Sequence, residues 1–157
     1  MSDVKNLEQA TAVFRSVCNV LDGYEWKYDA DTDKLTIRLK LSGDDLPMDF
    51  VIRVLEKQQV ISILSFMPTN MPEDKRIGGA IATTIVTNKL ADGSFDYDFM
   101  ENTVTFRITA SFLDSLISEE LVDYLIRTAC STVDEYNHHF DALAKGTMTL
   151  DELFEIK

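Results

Sequence analysis

The chain has 157 residues, 45% hydrophobic and 27% charged, with a net charge of −12. That composition supports one domain, residues 1–157, that buries its own core without a metal or disulfide staple, and it excludes a disordered chain. The acidic balance excludes a basic nucleic-acid surface, and no run of about 18 apolar residues marks a membrane span. The opening MSDVKNLEQA carries neither a basic segment nor an apolar one, so a cytoplasmic location is expected. Charge is unevenly placed: residues 1–91 hold 13 acids and 11 bases, residues 92–157 hold 14 acids and 4 bases.

The first predicted element is a helix over residues 3–22, with Leu7, Ala10, Phe14, Val17, Cys18 and Leu21 at helical spacing and Asp22-Gly23 at its end. The period then changes to two. Tyr24, Trp26 and Tyr28 predict a first strand. DADTDKL, residues 29–35, reads as a turn, and Leu35, Ile37, Leu39 and Leu41 predict a half-buried second strand. Ser42-Gly43-Asp44-Asp45 turns into a third strand near 48–56, and a fourth runs near 59–67. The fourth carries Val60, Leu64 and Phe66 on one face and Ile61, Ile63 and Met67 on the other, which predicts a central position.

Helical spacing returns over 71–91 with Ile77, Ile81, Thr84, Ile85 and Asn88, after an Asn70/Glu73 capping-box spacing and Pro72. Gly78-Gly79 inside it predicts close packing of the helix on the sheet. A hairpin follows, with SFDYDFM and TVTFRITA about Glu101-Asn102. The last long helix is expected from Ser118 to Lys145-Gly146, with Glu119 and Glu120 in its first turn. Thr149 and Glu152 then predict a capping box for a short final helix bearing Leu153 and Phe154. The order α-β-β-β-β-α-β-β-α-α with short connections predicts an α+β fold, an antiparallel β-sheet with helices mainly on one face.

Chemical motifs are sparse. Asp29, Asp31 and Asp33 mimic the first ligands of a calcium loop. The positions needing glycine and glutamate, however, hold Lys34 and Lys40, so the stretch is a turn. His138 and His139 lie four residues after Asp134 and Glu135, a spacing that predicts ordinary helical charge pairs. Cys18 and Cys130 fall on apolar helix faces and read as reduced core thiols. No nucleophile–base pair, phosphate loop or metal-ligand set emerges, so no enzyme activity, catalytic residue, cofactor or metal is expected.

Val122, Ile126, Ala129, Val133, Tyr136, Phe140 and Leu143 form a seam at alternating four- and three-residue spacing. It reads as a helix docked on the sheet, or as a stripe that partly meets another chain. In the second reading Val133, Tyr136, Phe140 and Leu143, with Ile61 and Ile63 of the fourth strand, are the candidate partner or dimer surface. Homodimerisation is expected from two such surfaces, with the alternative that the final helix folds back over the bare face.

MPEDKR, Asn88, DGSFDYD, VTFR and SEELVDYLI bring Pro72, Arg76, Asn88, Gly93, Phe95, Asp98, Phe106 and Arg107 into a pattern that resembles the YbjN family of small bacterial domains. The resemblance implies a fold similar to type III secretion chaperones, which are small acidic homodimers that hold an apolar segment of a client protein. It implies no catalytic residue. The expected function is a non-catalytic protein-binding module, chaperone-like or regulatory, with a small-molecule or metal-binding regulator as the alternative. A protein partner is expected, and no nucleic acid or membrane.

Overall fold

The structure is a computed structural model that describes residues 2–157; Met1 lies outside them. Its elements are α1 (Ser2–Gly23), β1 (Asp29–Asp31), β2 (Thr36–Ser42), β3 (Pro47–Leu55), β4 (Val60–Phe66), a 3-10 turn (Glu73–Lys75), α2 (Arg76–Thr87), β5 (Ser94–Asp98), β6 (Thr103–Ser111), α3 (Glu119–Lys145) and α4 (Leu150–Glu155). The order is the predicted one. All strand pairs are antiparallel in one sheet, ordered β1-β2-β3-β4-β6-β5. β4 is interior, as its apolar content demands.

Register separates the two sheet faces. Ile37, Ile52, Ile63 and Ile108 lie side by side across β2, β3, β4 and β6, and Leu39, Phe50, Ser65, Phe106 and Phe95 form the next row. Both rows are buried beneath α1 and α3. The aromatic rings close this layer: Phe95 packs 5.2 Å from Phe106 and 4.9 Å from Phe140 between ring centres. Each ring buried here contributes roughly 1.5–3 kcal/mol relative to exposure.

Helix ends follow their local chemistry. Ser118 caps α3 by accepting the Leu121 N–H at 3.2 Å, and Gly146 ends it with φ +77°. Thr149 and Glu152 form the predicted capping box of α4. At α2 the predicted box does not form. A 3-10 turn after Pro72 occupies that position, and the Asn70 amide instead donates to the Glu101 carbonyl at 3.4 Å. The turn at residues 31–34 is an aspartate turn: Asp31 Oδ1 accepts the N–H groups of Asp33 and Lys34 at 3.1 and 3.0 Å.

The first strand is a correction. Residues 24–28 alternate as a strand would, yet β1 begins only at Asp29. The backbone of Tyr24, Glu25 and Trp26 donates to carbonyls at the end of α1, namely Val20, Asp22 and Leu21, so these N–H groups are not free for a ladder. The Tyr24 hydroxyl donates to Asp123 on α3, the Tyr28 hydroxyl donates to Asp22 at 2.7 Å, and Trp26 stacks on Tyr24. The segment is an aromatic strap across the α1–α3 edge.

Gly79 is where α2 meets the sheet. A Cβ there would lie 2.6 Å from the Tyr97 ring and 2.9 Å from the Met71 side chain. At Gly78 the nearest atom would be 3.9 Å away. The two glycines therefore separate into one that packing requires and one that it does not. Gly78→Ala is expected to raise unfolding free energy by about 0.5–1 kcal/mol through helix propensity. Gly79→Ala is expected to lower it by about 1–3 kcal/mol through overpacking. Urea titration of the two variants checks both signs.

Candidate protein-binding surface

The six candidate surface residues all lie inside the chain's own core. Val133, Tyr136, Phe140, Leu143, Ile61 and Ile63 are each at most 8% exposed. The whole seam, Val122 to Leu143, is buried, with α3 packed on β3, β4 and β6 beside α1. Ile61 and Ile63 belong to the helix-covered face. The face of β4 left bare is the opposite one, carrying Leu64 and Phe66, with Phe66 43% exposed. The final helix does not reach that face; it packs on α2.

Two of the exposed large apolar residues, Ile77 and Ile81, lie on α2. Its buried residues are small or β-branched: Gly79, Ala82, Thr83 and Val86. Turning that face to Tyr97 sends the isoleucines outward, Ile77 at 67% and Ile81 at 46% exposure. Residues 77, 81 and 85 recur every four residues, so they form a ridge inclined to the helix axis that ends in half-buried Ile85. α4 extends it. Leu153 anchors α4 in the core, while Phe154 stays 65% exposed. Lys89 fixes this end, donating to the carbonyls of Phe154 at 3.0 Å and of Ile156, with its ammonium 5.8 Å from the Phe154 ring centre. Together they line a shallow groove of about 520 Å³ with Ala80, Thr84 and Asn88. Residues 76–90 contain no acid. In a chain of net charge −12, this is a strip that another protein surface can approach without like-charge repulsion. The stripe was legible in the sequence as spacing. Its outward direction follows from the small residues opposite it.

The residues behind the family resemblance have architectural roles. Gly93 has φ +78°, and a Cβ there would lie 2.6 Å from the Phe106 ring. Asp98 Oδ1 accepts the N–H groups of Met100 and Glu101 in the hairpin turn, where Asn102 adopts φ 55°. Arg76 donates to the Phe99 carbonyl at 3.0 Å, tying the hairpin tip to α2, and Arg107 pairs with Asp96 at 3.0 Å.

The histidines depart from the expected helical pairs. Asp134 Oδ1 accepts the Asp44 N–H at 2.8 Å, and His138 Nδ1 lies 3.3 Å from Asp45 Oδ2. Both contacts fasten the β2–β3 turn to α3, against Gly43, where a Cβ would meet Asp134 at 2.4 Å. Among the described residues no three of His, Cys, Asp and Glu converge as a metal set. Cys130 has its thiol pKa pushed up to about 12, first by burial and then by Asp134, which makes it a poor nucleophile. No helix among the described residues is long and apolar enough to cross a membrane.

With the geometry in hand, comparison with known proteins gives a likeness of fold. No protein-family model matches the chain, and no curated protein matches it. Among solved structures, YbjN from E. coli, a candidate transcription regulator, matches at a TM-score of 0.60 and 10% identity, over 80% of this chain and 92% of that one. A chain of the ExsC–ExsE complex matches at 0.59 and 9% identity, over 82% of this chain and 93% of that one. The fold is YbjN-like, as the motifs implied, and is shared with a protein solved in a protein–protein complex.

Burial of His139, and secondarily the nearby charge of His138, hold the His139 pKa below the usual histidine range. The folded state thus favours neutral His139. Its contribution is complete above the unfolded value near about 6.5 and is lost as pH falls below it. Stability measured by urea at pH 7 and pH 5 should drop less in His139→Gln than in the unaltered chain; an equal drop would contradict this assignment.

Proposed function

We propose that the chain, acting as one domain over residues 1–157, is a non-catalytic protein-binding module of the chaperone-like kind that works as a homodimer. The observation that carries the reading is the groove on α2 and α4 lined by exposed Ile77, Ile81 and Phe154 and by half-buried Ile85, with no acid over residues 76–90. Large apolar side chains in a continuous line on a small acidic domain are the surface expected of an interface rather than of a solvated helix. An i, i+4 ridge on one helix packs beside its own copy across a two-fold axis, isoleucine against isoleucine. Each isoleucine or phenylalanine covered in this way contributes roughly 1.5–3 kcal/mol.

Support also comes from the fold. The ExsC–ExsE structure is a complex between proteins. Fold likeness alone does not carry function; the α2 strip does.

Light scattering coupled to size exclusion tests the reading. The unaltered chain at tens of micromolar is expected to elute at twice its 17.8 kDa mass. Ile81→Asp is expected to elute as a monomer with an unchanged circular-dichroism spectrum, because Ile81 lies outside the core. A monomeric unaltered chain, or a dimer that Ile81→Asp leaves intact, would reject the strip as the dimer surface.

A further inference from the structure

One glycine of α2 has no packing reason within the chain. Tyr97 requires Gly79, but a Cβ on Gly78 would meet nothing closer than Leu150 Cδ1 at 3.9 Å. A glycine inside a helix weakens it relative to alanine. What Gly78 leaves open is a cleft of about 240 Å³ between the start of α2, the end of α3 and the start of α4, walled by Met71, Leu143, Met148 and Leu150. Asp74 stands exposed at its edge. α4 lines this cleft through Leu150 without filling it. Leu153 of the same helix is fully buried, whereas Phe154 is exposed beside Ile85 and Lys89. An apolar ring without a pocket and an apolar cleft without a ring thus lie about two turns apart along α2.

A two-fold axis brings them together. Ile81 is the middle of the ridge of Ile77, Ile81 and Ile85. Antiparallel packing about it sets Ile77 against the partner's Ile85, and exposed Glu73 and Asp74 near the partner's Lys89. Unlike charges then meet at both ends, because Lys75 and Arg76 are turned to the carbonyls of Leu143, Ala144 and Phe99. Parallel packing would set Lys89 against its own copy, and Glu73 and Asp74 against theirs. The antiparallel axis also keeps both α4 helices on one side of the α2 pair. Each Phe154 then comes over the first half of the partner's α2, where Gly78 and Leu150 lie. The acids of α4 do not oppose this approach: Leu150 and Leu153 face inward, which turns Asp151 and Glu155 to solvent, and Glu152 is held in the capping box with Thr149.

We propose that the cleft at Gly78 receives Phe154 of a second copy, reciprocally, and that this exchange fixes the antiparallel orientation of the pair. The proposal rests on the α2 dimer above and adds the residue that each copy contributes to the other. The two glycines then have separate roles: Gly79 admits Tyr97 within the chain, and Gly78 admits the partner's ring.

A double-mutant cycle on the dimer dissociation constant, measured by light scattering over a dilution series, tests it. Phe154→Ala removes the ring, and Gly78→Leu fills the cleft from within the chain. Each is expected to weaken the dimer about ten-fold or more. The double variant is expected to lie within about two-fold of Gly78→Leu alone, because a filled cleft has no ring to lose. Circular dichroism verifies that Gly78→Leu is folded; if it is not, Leu150→Phe, which fills the same cleft from α4, takes its place with the same expected direction. Losses that multiply in the double variant, or a dimer that Gly78→Leu leaves as tight as before, would overturn the exchange while keeping the α2 dimer. An unaltered chain that stays monomeric at tens of micromolar would overturn both.

Discussion

The docking of α3 on the inward sheet face is the contact on which the rest of the molecule depends. Eleven residues of α3 are buried, and the Phe140 ring closes against Phe95, which in turn packs on Phe106. The helix packs on β3, β4 and β6, while α1 lies on β3 and α2 on β5. Other elements attach to this pair. The β2–β3 turn is held to Asp134 and His138, the Tyr24 strap to Asp123, and Lys75 on the 3-10 turn donates to the α3 carbonyls of Leu143 and Ala144 at 3.2 and 3.4 Å.

Because α3 and the inward sheet rows satisfy each other, surfaces for other proteins must be built from what they leave out. The α2 strip with Ile77 and Ile81 is one of them, exposed and without an acid over residues 76–90. It contrasts with residues 92–157, which carry 14 of the 27 acids. A negative field of that kind slows non-specific contacts with anions.

Local chemistry was the most legible part of the sequence. The start of α3 at Ser118, the Gly146 exit, the Thr149/Glu152 box and the Asp31 turn depend on neighbours within four residues, and all form as read. The central place of β4 was legible because two apolar faces demand flanking strands. What escaped the sequence depends on contacts between distant residues. Residues 24–28 alternate like a strand, but α1 and α3 capture their donors and hydroxyls. The Asn70/Glu73 spacing yields to a 3-10 turn after Pro72. The α3 seam looks the same whether it meets a sheet or another helix, and only the matching inward rows of β2, β3, β4 and β6 decide. For α2 the stripe was visible, but its direction was set by Tyr97, which accepts only a glycine at 79.

The division between core helix and outward strip is tested most directly by chemical denaturation of two truncations, Phe140→Ala and Ile81→Ala. The first should lose about 3–5 kcal/mol of unfolding free energy, as a buried aromatic truncation does. The second should stay within about 0.5–1 kcal/mol of the unaltered chain when both are measured below the concentration of association. If Phe140→Ala kept full stability while altering only the association state, α3 would be the partner surface and the assignment of its stripe to the core would be wrong.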